Sequence, residues 1–143
     1  MDEIRSTSSA ISYGRLERKK TVLVADDSPK MLEVAGLLLG EAGFEVLKAG
    51  DGAEALEIMR ERHPDLVVLD LLMPRMNGFE VLRQMQQDER IRDTPVVVIS
   101  GLYKDDILKE LNSLGADDFV PKDSMRRKLV DRASRLVNPE AAS

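Results

Sequence analysis

Three carboxylates, one hydroxyl and one ammonium group stand at the ends of short aliphatic runs in this sequence. Asp26-Asp27 follows Val22-Leu23-Val24-Ala25, and Asp70 follows Leu66-Val67-Val68-Leu69. Ser100 follows Val96-Val97-Val98-Ile99, and Lys122 comes just after Phe119-Val120-Pro121. Brought into one pocket, the carboxylates repel one another, so a compensating cation is implied. Oxygen-only donors, few in number and leaving room for water and substrate oxygens, suit octahedral Mg²⁺ or Mn²⁺ better than a caged Ca²⁺. Lys122 supplies a mobile positive charge for a phosphate and Ser100 a hydroxyl donor. These are the parts of phosphoryl transfer, where positioning and neutralisation do most of the work. The chain has no Cys, and its one His, His63, ends no apolar run, so the nucleophile must be a carboxylate able to form an aspartyl-phosphate. Asp70 stands alone after the central apolar run and is the better acceptor; the adjacent Asp26 and Asp27 look like the metal pair.

The elements that must position these groups can be read from the pattern around them. Apolar runs at Thr21–Ala25, Glu45–Ala49, Leu66–Leu69, Pro95–Ile99 and Asp118–Val120 predict five strands. Between them, Ser28-Pro29 is a helix start, with Leu32, Ala35, Leu38 and Leu39 at helical spacing up to Gly43. Further helices are predicted at Ala53–Glu61, Phe79–Gln87, Asp105–Leu114 and Ser124–Val137. Met73-Pro74 with Asn77-Gly78 reads as the turn that starts the third helix. The last helix puts Leu129, Val130, Ala133, Leu136 and Val137 on one side and Arg127, Lys128, Arg132 and Arg135 on the other, a docking helix first and a binding surface second. Strands alternating with helices give an α/β fold: a doubly wound five-stranded parallel sheet of flavodoxin-like order 2-1-3-4-5, helices on both faces. In such sheets ligands bind outside the carboxyl ends of the strands, which is where Asp26, Asp27, Asp70, Ser100 and Lys122 fall.

Composition narrows the setting. The 143 residues suit one domain, and with aromatics at 3% and no Trp the core must be aliphatic. We expect a flexible N-terminal extension over residues 1–20, a folded domain over 21–137 and a short tail over 138–143. No apolar stretch approaches the ~20 residues of a membrane span, and the first twenty residues lack a secretory apolar core, so a cytoplasmic location without membrane attachment is expected. The net charge of −5 is uneven. The central segment is acidic and both ends are basic, although three net positive charges along a helix most simply make a solvated face.

The residues resemble a known family, the receiver domains of two-component response regulators. The resemblance covers Lys20 to Val137 and rests on Val22–Ser28, Pro64–Pro74, Asn77-Gly78, Pro95–Gly101 and Gly115–Lys122, in that order and spacing. It implies a phosphorylatable signalling switch of a two-component system or phosphorelay, of the single-domain kind resembling the chemotaxis regulator. Asp70 would accept the phosphoryl group from a histidine kinase or phosphotransfer protein. Asp27 and Asp70 would hold Mg²⁺ directly, Asp26 chiefly through water, and the backbone carbonyl of Leu72 would complete the protein ligands. Ser100 would be the switch hydroxyl, Phe119 the switch aromatic and Lys122 the partner of the phosphoryl group. Two departures stand out: Asp123, not proline, follows Lys122, and Phe119 replaces the more common Tyr. A downstream protein target is expected at the surface of the fourth helix, fifth strand and fifth helix, an acidic protein patch more readily than DNA. The oligomeric state is left open.

A switch of this kind phosphorylates and dephosphorylates itself without turning over a separate substrate, so no enzyme of the ordinary sort is expected. A pseudo-receiver, a constitutive interaction module that keeps the fold and not the chemistry, is the alternative; the complete set of acidic pair, acceptor, hydroxyl and lysine argues against it. A flavin protein would want Gly, Ser and Thr where Asp26–Lys30 offers carboxylates. A phosphohydrolase would want an acid–base carboxylate two residues after the nucleophile, where Leu72 stands. Leu72 and Leu102, each two residues beyond a reacting group, can neither donate to nor accept from an attacking water, so a long-lived phosphorylated form is expected.

Overall fold

The structure is a computed structural model that describes residues 19–101 and 104–138. Residues 1–18 of the expected extension, residues 139–143 of the expected tail, and Leu102 lie outside the described residues. Five strands, β1 (Thr21–Ala25), β2 (Glu45–Ala49), β3 (Leu66–Asp70), β4 (Val96–Ser100) and β5 (Asp118–Pro121), form one parallel sheet in the order β2-β1-β3-β4-β5. Helices α1 (Pro29–Glu41), α2 (Gly52–Arg62), α3 (Gly78–Gln86), α4 (Asp105–Ser113) and α5 (Met125–Val137) alternate with them. The predicted elements are all present, β1 and β2 with the expected limits and the others shifted by a residue or two at one end or both. Asp70 and Ser100 are themselves the last residues of β3 and β4, and a 3₁₀ turn over Lys122–Ser124 precedes α5.

The period-two alternation of the strands divides the core into two layers. Leu23, Ala25, Val67, Leu69, Val96 and Val98 face one way and pack with Ala55, Met59, Val81, Leu82, Met85 and Leu111 from α2, α3 and α4. Val22, Val24, Leu66, Val68, Val97 and Ile99 face the other way and pack with Ala35, Leu39, Leu129 and Ala133 from α1 and α5. Every residue of β3 and β4 is buried, as expected for central parallel strands covered on both faces. A branched or long aliphatic side chain fully buried in this way contributes about 1.5–3 kcal/mol.

Local chemistry sets the helix starts. The side chains of Ser28, Asp51 and Asn77 accept the Met31, Glu54 and Glu80 amides that would otherwise lack partners in the first turns of α1, α2 and α3. His63 closes α2 in the left-handed conformation, φ 47°, as an exposed loop residue. α4 is held differently at its two ends. Its N-cap, Lys104, makes no side-chain cap bond. At the other end Leu111 is buried, Gln86 of α3 donates to the Leu114 carbonyl at 3.0 Å, and Arg83 meets Glu110 at 3.5 Å.

The opening edge of the sheet is tied by two aspartates. Asp65, just before β3, accepts the Thr21 amide that begins β1 at 2.8 Å. Asp117, just before β5, accepts the Val96 amide that begins β4, also at 2.8 Å. Each fixes the first residue of a neighbouring strand. Among the described residues no helix is long and apolar enough to cross a membrane.

Candidate functional site

At the opposite, carboxyl-terminal edge of the sheet, one carboxylate oxygen each from Asp26, Asp27 and Asp70 lie within 4.8 Å of one another. Asp26 leaves the end of β1, its amide donating to the Ala49 carbonyl of β2 at 3.0 Å. Asp70 ends β3 in register with Ile99 of β4, and Ser100 faces Pro121 of β5. The sheet register therefore delivers the acceptor candidate, the hydroxyl and the lysine-bearing turn to one rim. Asp26, Asp70 and Ser100 are buried, whereas Asp27 is exposed.

The Lys122 ammonium bridges the two buried carboxylates, 3.3 Å from Asp70 Oδ2 and 3.5 Å from Asp26 Oδ2. It does so with no cis peptide bond among the described residues, so Asp123 in place of proline does not prevent the lysine from reaching the site. The remaining oxygens are only partly served. Asp26 Oδ1 accepts the Ser28 amide at 2.9 Å, and Asp70 Oδ1 accepts the Leu72 amide at a long 3.4 Å. Among the described residues Asp26 Oδ2 is buried and accepts no hydrogen bond, its charged neighbour being the Lys122 ammonium at 3.5 Å. A buried anionic oxygen in that condition is costly unless a cation neutralises it.

Electrostatics point the same way. Burial, and then the charge of Asp26, push the Asp70 carboxyl above the usual aspartate range; Lys122 and the Leu72 amide offset this only in part. For Lys122, burial alone would lower the ammonium's pKa, yet the facing charges of Asp26 and Asp70 outweigh it and hold it above its ordinary value. Among the described residues one ammonium serves these three carboxylates, which leaves net negative charge at the rim. Two buried carboxylates, one of them with an oxygen that accepts no hydrogen bond among the described residues, and one exposed carboxylate open to water match what a hard divalent ion such as Mg²⁺ requires of its protein donors.

Of the sequence-predicted site residues, all but Phe119 lie at this rim or next to it in the chain. Asp26, Asp27, Asp70 and Lys122 form the cluster, and Ser100 is buried at the end of the adjoining strand. Leu72 lies two residues past Asp70 with its side chain 59% exposed. Phe119 is half-buried on β5 against the first core layer and lines a groove with Leu108, Leu111 and Ala116 of the α4–β5 surface. The cationic face foreseen for α5 is partly spent inside the protein. Arg132 makes a two-pronged contact with Asp118 at 2.9 and 3.0 Å, and Arg135 meets Asp131 at 3.2 Å. Arg126 and Arg127 remain exposed.

Asp51, absent from the sequence-predicted set, sits beside the site. Besides capping α2, its Oδ2 pairs with the guanidinium of Arg75 in the loop after β3. The cap could have been read from the Gly50-Asp51-Gly52 turn, but no local pattern announces a partner 24 residues away.

Comparison with known proteins follows the same lines. The response regulator receiver domain family matches residues 22–134. The DNA-binding response regulator MtrA of Mycolicibacterium smegmatis is 38% identical over 115 residues, which is 80% of this chain and 49% of that protein. Response regulator RR06 of Streptococcus pneumoniae is 40% identical over 116 residues, 81% of this chain and 52% of the relative. The chain thus spans about half the length of the curated relatives it matches. Among solved structures, the Francisella response regulator 1452 receiver domain superposes with a TM-score of 0.79 at 29% identity, covering 85% of this chain and 99% of that one. The chemotaxis protein CheY4 of Vibrio cholerae gives a TM-score of 0.79 at 27% identity, covering 83% and 99%.

Proposed function

Because this chain belongs to the response regulator receiver domain family of two-component signalling, we propose that it is switched by transfer of one phosphoryl group onto Asp70. The donor would be a phosphohistidine of a kinase or phosphotransfer protein. The observation that carries the reading is the cluster of Asp26, Asp27 and Asp70, with one ammonium, Lys122, shared between the two buried acids at 3.3 and 3.5 Å and the buried Asp26 Oδ2 accepting no hydrogen bond among the described residues. Asp26, Asp27, Asp70 and the Leu72 carbonyl would hold Mg²⁺. When bound, the ion neutralises the carboxylates and the charge that develops on the transferred group.

The chain's own residues do the rest. An Asp70 carboxylate oxygen attacks the phosphorus; the new O–P bond forms as the P–N bond to the donor imidazole breaks, and the bonding electrons leave with the imidazole nitrogen. Lys122 exchanges part of its contact with Asp70 for a phosphoryl oxygen. Ser100, buried at the end of β4, donates its hydroxyl to another phosphoryl oxygen, and Phe119 follows it inward. The change is read at the surface of α4, β5 and α5 by a protein partner bearing an acidic patch, drawn to the exposed Arg126 and Arg127.

The test is incubation with Mg²⁺ and acetyl phosphate followed by intact-mass measurement. One phosphoryl group is expected on the wild type and none on Asp70→Asn. Labelling of the Asn variant to the wild-type level would show that Asp70 is not the acceptor, and an unlabelled wild type would mark a constitutive interaction module instead.

A further inference from the structure

The peptide that presents the Leu72 carbonyl has little of its own to hold it. The Leu72 side chain is largely in solvent, and its amide reaches Asp70 only at 3.4 Å. The restraint comes from farther along the same loop. Gly78 donates to the Leu71 carbonyl at 2.8 Å and lies so close that a Cβ there would stand 2.6 Å from the Asp70 carbonyl oxygen. Gly52, at the start of α2, is pressed against the Met76 carbonyl, where any Cβ would collide. Between these two contacts Arg75 adopts φ 65°, a left-handed backbone that a long side chain rarely takes unless its surroundings impose it. Its side chain is 71% exposed, so packing does not impose it; the guanidinium ends on Asp51 Oδ2, whose own side chain is only 12% exposed.

We propose that Arg75 and Asp51 are positioning residues for the cation: their ion pair latches the segment after β3 onto the start of α2 and so sets where the Leu72 carbonyl stands. The proposal rests on the Mg²⁺ site described above. The two oxygens of Asp51 divide the labour, Oδ1 capping α2 through the Glu54 amide at 2.8 Å and Oδ2 serving Arg75. An asparagine at this position caps a helix as well as an aspartate does. Asp51→Asn therefore removes the charge of the latch while leaving α2 capped.

Partners that orient metal ligands typically contribute about 10- to 100-fold in affinity, and an exposed pair acting through one backbone carbonyl belongs at or below the lower limit. Titration calorimetry with Mg²⁺ alone is expected to show about 3- to 10-fold weaker binding for Asp51→Asn and for Arg75→Gln. Arg75→Lys should restore most of the loss, and the double variant should be no weaker than the worse single one, since both remove the same contact. Amide exchange over residues 71–77 should quicken in step, with little change in the melting temperature of the metal-free protein. Lowered melting temperatures with an unmoved Mg²⁺ affinity would reduce the pair to a structural strap and overturn the proposal. Asp27→Ala separates the two readings. If it leaves Mg²⁺ binding intact, the metal site itself is wrong and the latch falls with it; if it weakens binding while the latch variants do not, only the latch is wrong.

Discussion

The two edges of the sheet use the same residue type to opposite ends. At the opening edge Asp65 and Asp117 each accept a backbone amide at 2.8 Å and fix the start of a neighbouring strand. At the closing edge Asp26 and Asp70 are buried beside one another, short of hydrogen bonds, with an exposed Asp27 nearby. A carboxylate that satisfies an amide stabilises the native state, whereas carboxylates gathered without enough donors destabilise it unless a cation arrives. What separates structure from chemistry here is how many donors each acid has been given.

That contrast makes substitutions at the two edges predictably different. The largest effect is expected on the lifetime of the phosphorylated protein at the closing edge. Leu72→Asn gives the attacking water a hydrogen-bond partner, and radiolabel decay should become about 10- to 100-fold faster. Because the side chain is 59% exposed, its stability should hardly change. A wild type that decays within seconds, or an Asn variant that decays no faster, would break this account of the leucine.

Next in size is the opening edge. Asp117→Ala leaves the Val96 amide without its partner and should cost about 2 kcal/mol in urea denaturation, with Mg²⁺ affinity unmoved. Asp65→Ala should follow the same pattern. Loss of Mg²⁺ binding in either variant, with the fold retained, would show that the edges are not independent.

The smallest effect has the opposite sign. Asp70→Asn should stabilise the metal-free protein at neutral pH by about 0.5–2 kcal/mol, as removal of functional strain commonly does. The pH dependence identifies the cause. Burial and Asp26 raise the Asp70 carboxyl, so the folded state keeps its proton to higher pH than the unfolded chain, whose value is about 3.9. Below that value the acid is neutral in both states and carries no penalty. The penalty enters as pH rises through the window above it, so the wild type should fall progressively behind Asp70→Asn from about pH 4 upward, and saturating Mg²⁺ should narrow the gap. Parallel stability curves for the two proteins across that range would remove the electrostatic explanation.

How far the sequence discloses all this depends on the range of each interaction. The strands β1 and β2 match their expected limits because each run ends at a residue that breaks it, Asp26 after Ala25 and Gly50 after Ala49. The rim residues were legible because chain order and the doubly wound topology place Asp26, Asp70, Ser100 and Lys122 at strand ends without any knowledge of side-chain angles. Asp51, Asp65 and Asp117 were not, since their defining partners lie 24, 44 and 21 residues away. The α5 arginines show the same limit. Helical periodicity puts Arg132 opposite the core, but only the fold reveals that Asp118 takes up its charge.

The unequal anchoring of α4 has a mechanical meaning. A nine-residue helix is a rod about 13 Å long, and this one is gripped at the Gln86 end while the other end, at Lys104, has no side-chain cap. Such a rod is a lever with its fulcrum at the far end. A turn of ~10° about the fulcrum swings the Lys104 end by ~2 Å while Leu111 hardly leaves its seat. Displacements are thereby larger at the Lys104 end than at Leu111, and Ile107, packed on the core in the first turn, is the contact that must slide to allow them.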